Sequence, residues 1–257
     1  MIPNGIVAVP TFRRTEMLAL CLERISAAEE SQDLDIRIFL DHSFPERLAE
    51  TEHVRDEYCP NANIFHANPH ILCPSGTWNI LNSLRLSWET KAPLIFFIEE
   101  DVMIKPEFFK KHIEMQNSDD LFVSCGRKLS YFDDTFYSNP GTCYKAEKLA
   151  LVIPHINDHY FSNQKAYIDH NFPPSPESGI LDDGLIRHVM LAAGGKAKCA
   201  VPRIASHCGW HYYQKMPLYK NEGSLPDRIK WMRNFLSDIP ARKREDPRYI
   251  NDLEELA

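Results

Sequence analysis

The chain has 257 residues, of which 44% are hydrophobic and 25% are charged, and this composition is typical of a folded globular protein. It carries 29 Lys and Arg residues against 36 Asp and Glu residues, so its net charge is −7. This balance argues against a protein that grips nucleic acid over a broad face, although a local basic patch stays compatible with it. The longest apolar stretch, Ala92 to Ile98, is far shorter than the ~20 residues that span a bilayer.

The first half of the chain alternates short apolar runs with helical patterns. Pro93 to Ile98 is apolar at every position, which indicates a central strand buried on both faces. The alternation predicts an α/β protein with a central, mostly parallel twisted sheet flanked by helices. Strands are expected at residues 5–10, 35–40, 63–66 and 93–98, and helices at 14–28, 45–58, 75–88 and 106–115.

The second half is less regular and contains no evident linker. Strands are expected at residues 121–125 and 198–202, and helices at 145–152, 181–193 and 225–236. The charged tail from Arg242 is expected to be solvated. We therefore expect one domain over residues 1–257.

The seven cysteines indicate a reducing compartment. Their number is odd and no Cys-x-x-Cys pair occurs, so they are expected to be free thiols, not a disulfide framework or a zinc site. The N-terminus has no basic region followed by a cleavable apolar segment, so no secretory signal is expected. We predict a cytoplasmic protein without a membrane span.

Polar residues follow three of the predicted strands, where open parallel sheets bind their ligands. They are Thr11, Arg13 and Arg14 after the first strand, Asp41 after the second, and Glu99-Glu100-Asp101 after the apolar fourth. No glycine-rich phosphate loop follows the first strand, so a bound diphosphate would need another source of positive charge.

The acidic triplet follows the most hydrophobic strand of the chain. Three consecutive carboxylates are costly there unless something neutralises them, and a divalent cation would do so. A solvated junction between strand and loop is the alternative. Side-chain alternation would place Glu99 and Asp101 on one face and Glu100 on the other. We predict Asp101 as the metal ligand because it would reach furthest into the crevice.

The triplet and its surroundings resemble the GT-A glycosyltransferase fold. Glu99-Glu100-Asp101 is similar to the Glu-Asp-Asp form of the DxD motif in the N-acetylglucosaminyltransferase I family, and Pro106-Glu107-Phe108-Phe109 resembles the helix that follows it there. The resemblance continues at Leu181 to Arg187 and at Cys199 to Ile204. It covers about residues 5–211, without the membrane anchor and stem of Golgi members.

This resemblance implies a metal-dependent, inverting transferase. It would move a hexosyl or N-acetylhexosaminyl group from a nucleotide-diphospho-sugar, preferably a UDP-sugar, to an acceptor hydroxyl. Asp41 would bind the uracil imide, and Arg13 or Arg14 would contact the nucleotide. By the same resemblance, residues 1–116 form the nucleotide-sugar-binding half, 117–215 the acceptor-binding half, and 216–257 a C-terminal helical segment.

The resemblance also implies a metal shell. Asp101 would hold Mn²⁺ or Mg²⁺ across the donor diphosphate, and Glu99 and Glu100 would orient the sugar hydroxyls or the ribose. Many GT-A enzymes carry a late histidine that completes this shell, so His207 is a candidate second ligand. A structural histidine is the alternative at that position.

Asp182 and Asp183 begin a predicted helix. Either acid could be a simple N-terminal cap. An inverting transfer also needs a carboxylate that removes the acceptor's proton, and the family pattern favours Asp183, then Asp182, for this role.

Acceptor and reaction class stay open at this stage. A glycan, a protein side chain, a lipid-linked sugar or a hydroxylated nucleic-acid base could supply the acceptor hydroxyl, and the net charge disfavours the last. A sugar nucleotidyltransferase is one alternative, although Pro10 to Arg14 lacks the glycines that such enzymes use around a triphosphate. A non-catalytic module that binds a nucleotide sugar or a glycan is the other.

Overall fold

The structure is a computed structural model that describes residues 4–73, 75–118, 121–126, 141–173, 182–208 and 223–242. Among these, the side chains of residues 75, 182, 183 and 238–242 are not described. The tail beyond Arg242, expected to be solvated, lies outside the described residues.

A seven-stranded sheet forms the centre of the fold, in the order β3-β2-β1-β4-β7-β6-β8. Strand β7 is antiparallel to β4 and β6, and the other neighbouring pairs are parallel. The mostly parallel sheet predicted from the sequence is therefore confirmed. Its strands are β1 (Ile6–Thr11), β2 (Asp35–Leu40), β3 (Asn63–His66), β4 (Leu94–Phe97), β6 (Leu121–Cys125), β7 (Thr142–Lys145) and β8 (Lys196–Cys199).

Helices cover both faces of this sheet. Val7 and Val9 of β1 belong to a core cluster with helices α1, α2, α4 and α9, whereas Ala8 belongs to a second cluster with α3 and α5 to α8. The helices are α1 (Thr15–Ala27), α2 (Leu48–Tyr58), α3 (Ser75–Glu89), α4 (Phe108–Gln116), α5 (Ala146–Leu149), α6 (Asp158–Ser162), α7 (Gln164–Asn171), α8 (Asp182–Ala192) and α9 (Leu225–Arg242).

Several boundaries differ from the sequence prediction. The first strand does not stop at Pro10 but runs on to Thr11, because its pairing with β2 continues to Thr11 while its pairing with β4 ends at Ala8. Proline lacks a donor, so it is tolerated beyond the end of that second ladder. The strand expected at residues 198–202 lies at 196–199, and the helix expected at 145–152 forms only at 146–149.

Two short strands outside the main sheet build a small ribbon beside its carboxyl edge. Strand β5 (Val102–Ile104) pairs antiparallel with β9 (Ala205–His207), and Val102 lies opposite His207. The amide of Cys208 also donates to the carbonyl of Asp101 at 2.8 Å. The ribbon therefore brings the end of the acidic triplet against His207, although 106 positions separate Asp101 from His207 along the chain.

No helix among the described residues is long and apolar enough to cross a membrane.

Candidate active site

The carboxyl ends of β2, β1 and β4 lie side by side and carry the polar residues singled out in the sequence. Thr11 ends β1, Asp41 follows β2, and the acidic triplet follows β4. Because β1 lies between β2 and β4, Asp41 and the triplet are two strand spacings apart, roughly 10 Å. This edge is where parallel α/β sheets place their ligands.

Glu100 fixes the end of β1 to the end of β4. Its carboxylate accepts hydrogen bonds from the hydroxyl of Thr11, from the amide of Phe12 at 2.8 Å and from Nε of Arg14 at 2.6 Å. The residue is 1% exposed. Protein donors thus engage both carboxylate oxygens of Glu100. Thr11, one of the polar residues expected at the ligand-binding edge, donates its hydroxyl hydrogen to this acid.

Asp101 lies between Arg14 and His207. Its Oδ2 is 2.7 Å from Nη1 of Arg14 and 3.2 Å from Nε2 of His207. Burial alone would raise the pKa of Asp101, but His207 and Arg14 outweigh it and hold the pKa well below its ordinary range. Asp101 therefore stays ionised at neutral pH although it is buried.

Glu99, Asp101 and His207 form a cluster that could hold a metal ion. One ligand atom from each lies within 4.8 Å of the others. Among the described residues, Oδ1 of Asp101 is buried and has no hydrogen-bond partner. Carboxylate oxygens and one imidazole nitrogen are donors that suit Mn²⁺ and also Mg²⁺. Glu99, Asp101 and His207 are therefore the residues that would hold such an ion.

Glu100 has different partners from Glu99 and Asp101, as expected, but strand alternation is not the reason. Strand β4 ends at Phe97, and Glu100 and Asp101 lie in a turn, so strand alternation does not govern them. The turn nevertheless directs Glu100 to the end of β1, while Glu99 and Asp101 join His207.

Asp41, at the end of β2, has one buried carboxylate oxygen without a hydrogen-bond partner among the described residues. It is fully buried, and its Oδ1 accepts from the amide of Ser43 at 2.8 Å. Within the described part of the chain, its Oδ2 has no hydrogen-bond partner. A buried carboxylate oxygen without a donor is costly, so this position suits a ligand N–H.

The two arginines after β1 have different surroundings. Arg13 is exposed, with its guanidinium 5.9 Å from the centre of the Phe12 ring. Arg14 is buried and paired with Glu100 and Asp101. Of the two arginines expected near the nucleotide, Arg13 has an exposed side chain, whereas Arg14 pairs with two acids of the triplet and lines the cavity at the end of β1.

The sequence assigned no role to the side chain of Asn79 in α3. Its Nδ2 donates to the carbonyls of Thr11 at 3.1 Å and Phe39 at 2.8 Å, which joins the ends of β1 and β2. Asn79 lines a cavity of about 240 Å³ that also contacts Pro10 and Glu99. Nothing in the sequence marks one helical asparagine among others, because its partners are backbone carbonyls of distant strands.

Helix α8 begins at Asp182, as expected. The side chains of Asp182 and Asp183 lie outside the described residues, so their role as acceptor base stays a prediction.

The sheet order, the ribbon and the flanking helices together make up the GT-A fold, and solved structures show the same architecture. A mannosyltransferase from Pyrobaculum calidifontis, in complex with GDP-Man and Mn²⁺, matches with a TM-score of 0.55 at 10% identity, over 90% of this chain and 68% of that one. TarS residues 1–349 from S. aureus, in complex with UDP, match with a TM-score of 0.50 at 14% identity, over 78% and 59%. No family model and no curated protein matches the chain. At such identities the likeness establishes the fold alone.

Proposed function

We propose that the protein is a metal-dependent glycosyltransferase that uses a nucleotide-diphospho-sugar. The observation that carries this proposal is the cluster of Glu99, Asp101 and His207 at the ligand-binding edge of a GT-A sheet, with Oδ1 of Asp101 buried and unpartnered among the described residues. Mn²⁺ or Mg²⁺ would be held by Asp101, with His207 and Glu99 beside it. The bound ion would neutralise the leaving diphosphate of the donor.

The donor we favour is a UDP-sugar. Oδ2 of Asp41, without a partner among the described residues, can accept a hydrogen bond from the N–H of uracil. The sequence resemblance to the N-acetylglucosaminyltransferase I family supports the same base and a hexosyl or N-acetylhexosaminyl group. One structural neighbour was solved with UDP, although another was solved with GDP-Man.

The residues around the donor have separate tasks in this proposal. Arg14 keeps Asp101 ionised and holds it in place, and Glu100 fixes the loop after β1. Arg13 contacts the nucleotide from its exposed position. Glu99 lines the cavity and orients donor hydroxyls. Asp183, or else Asp182, removes the proton of the acceptor hydroxyl. The hydroxyl oxygen attacks the anomeric carbon of the donor sugar with inversion, as the bond from that carbon to the diphosphate breaks.

The same proposal covers the arrangement and location of the enzyme. A single catalytic domain comprises a nucleotide-sugar half over residues 1–116, an acceptor half over 117–215 and a helical segment over 216–257. The acceptor is a glycan, a protein or another hydroxyl compound. All seven cysteines lie in the described residues as free thiols, which supports a reducing, cytoplasmic location.

Thermal denaturation with UDP and GDP, each with and without Mn²⁺, tests the function. We expect a nucleoside diphosphate to raise the Tm in the presence of Mn²⁺, because a ligand of the folded state stabilises it by mass action. Mn²⁺-dependent hydrolysis of a UDP-sugar should accompany the shift. Turnover of UTP with a sugar 1-phosphate would instead indicate a nucleotidyltransferase, and binding without turnover of any donor would indicate a binding module.

Asp101→Asn tests the metal cluster in the same assay. It should weaken Mn²⁺-dependent binding of UDP at least about tenfold, since a neutral amide is a poor ligand for a hard cation. Glu114→Gln is the control, because Glu114 is exposed and pairs only locally with Lys111 at 2.9 Å. Equal Mn²⁺-dependent affinity in the wild type and Asp101→Asn would contradict the assignment.

A further inference from the structure

Asn79 combines two properties that the fold alone does not require. Its amide nitrogen is saturated by two carbonyls at the ends of β1 and β2, which fixes the orientation of the side chain. Its Oδ1 is buried and has no hydrogen-bond partner in the part of the chain that the structure describes. A buried acceptor left unpaired costs roughly 1–3 kcal/mol, so an occupant that donates a hydrogen bond to it would gain that energy.

Asn79 lies on the path between the two ends of the proposed donor site. Phe39 of β2 packs in the same core cluster as α3, and Asp41 directly follows the end of β2 at Leu40. The Thr11 carbonyl accepts from the amide of Asp41 at 3.0 Å and from Nδ2 of Asn79 at 3.1 Å, so both residues surround one atom. The cavity that Asn79 lines extends from there to Glu99.

A nucleoside diphosphate bound between these ends must place its ribose over β1. The base would lie at Asp41 beyond β2 and the diphosphate at Asp101 beyond β4, and β1 lies between those strands. The ribose joins base and diphosphate, so it crosses the cavity at the end of β1. Its hydroxyls are donors, and they are the donors of the nucleotide closest to Asn79.

We propose that Oδ1 of Asn79 accepts a hydrogen bond from a ribose hydroxyl of the donor nucleotide, which makes Asn79 a residue that selects ribonucleotides over deoxyribonucleotides. This inference rests on the proposed function. It also replaces Glu100 in the ribose-orienting task, because protein donors already engage the carboxylate of Glu100.

Titration calorimetry with Mn²⁺ tests the inference. The probes are UDP and GDP, then the 2′-deoxy and 3′-deoxy forms of whichever binds more tightly. The wild type should bind one deoxy form about 5- to 50-fold more weakly, as expected for one buried acceptor left unpaired. Asn79→Ser should bind the ribonucleotide and that deoxy form equally. Asn82→Ser, which removes another buried asparagine of α3, should keep the wild-type preference.

The outcomes separate the inference from the function beneath it. If UDP or GDP binds and both deoxy forms bind within twofold of it, the ribose contact is wrong while the glycosyltransferase proposal stands. The wild-type comparison decides this even if Asn79→Ser does not fold. If Asn79→Ser lowers the Tm but keeps the preference, Asn79 only joins the strands. If neither diphosphate binds with Mn²⁺, the function and the inference both fail.

Discussion

Arg14 explains how three consecutive acids can follow a buried strand. Its guanidinium contacts Glu100 at 2.6 Å and Asp101 at 2.7 Å, and all three side chains are nearly buried. Removing Arg14 would take the guanidinium away from two buried carboxylates, which is strongly destabilising. At their formal charges, the three acids of the triplet and Arg14 sum to −2. That excess equals the charge of one divalent ion, which supports the proposed metal.

At the same scale, substitution separates the two acids that begin α8. Asp183→Asn should lower kcat by 10²-fold or more, the usual contribution of a general base, and leave Mn²⁺-dependent UDP affinity within about twofold. Steady-state transfer and calorimetry on the same sample measure the two effects. Asp182→Asn is the matched control and should keep most activity. The reverse pattern would assign the base to Asp182, and full activity in both variants would exclude this pair.

At the scale of elements, an ionic network joins helix α9 to helices α1 and α2. Arg228 of α9 is 5% exposed and contacts Glu16 in the first turn of α1 at 3.4 Å. It also contacts Glu50 of α2 at 2.5 Å. Glu16 follows Arg14 by two residues, so α9 supports the helix that begins at the candidate site.

Breaking this network should lower the free energy of unfolding far more than breaking an exposed ion pair on the same helix. Arg228→Met should lower the free energy of unfolding by about 3 kcal/mol or more, because it leaves Glu16 buried and charged. Arg233→Met is the control: Arg233 pairs with Glu23 at 3.0 Å, both are about half exposed, and the loss should stay below about 1 kcal/mol. Urea denaturation measures both losses, and similar values would contradict the assignment of Arg228 to a buried ionic network.

At the scale of the whole molecule, the elements that sequence patterns predicted are those with a signal of their own. The continuous apolar run around Phe96 marked β4, and alternating runs and helices marked the parallel sheet. Strand β7 carries Thr142, Cys143, Tyr144 and Lys145 and shows no such run, although it is paired with β4 and β6 on both edges. The short polar helices α6 and α7 also lack a long apolar run, so the sequence did not predict them.

The candidate site divides along similar lines. Position after a strand was enough to single out Asp41 and the triplet. The sequence did not show which way each side chain points, because only packing reveals that Arg14 is buried while Arg13 faces solvent. Three-residue strands that pair across a hundred positions, such as β5 and β9, leave no local pattern to detect.

A buried polar network should make the whole fold sensitive to acid. His112 of α4 is fully buried with Nδ1 2.7 Å from the hydroxyl of Ser124, and burial lowers the pKa of His112 to about 3. Between pH 6.5 and about 3 the unfolded chain therefore binds a proton at this residue that the folded protein does not. Stability is lost as pH falls through that window, at about 1.4 kcal/mol per pH unit.

His112→Gln should remove this part of the acid response. From pH 7 to pH 5 the wild type should lose about 2 kcal/mol more than the variant in free energy of unfolding, measured by urea denaturation. Substitution of the exposed His53 by Gln should leave the wild-type pH dependence unchanged. Parallel pH profiles for the wild type and His112→Gln would show that His112 is not held neutral.

During translation the β5–β9 ribbon can form only after β9 has been made, long after β5. Asp101 leaves the ribosome about a hundred residues before His207, and Val102 meets its partner only when β9 has been made. Strands β1 to β4 can assemble earlier from consecutive segments, since their contacts are nearer in sequence. A nascent chain would thus acquire the carboxyl edge of β1, β2 and β4 first and its full set of candidate metal ligands only after His207 has been made.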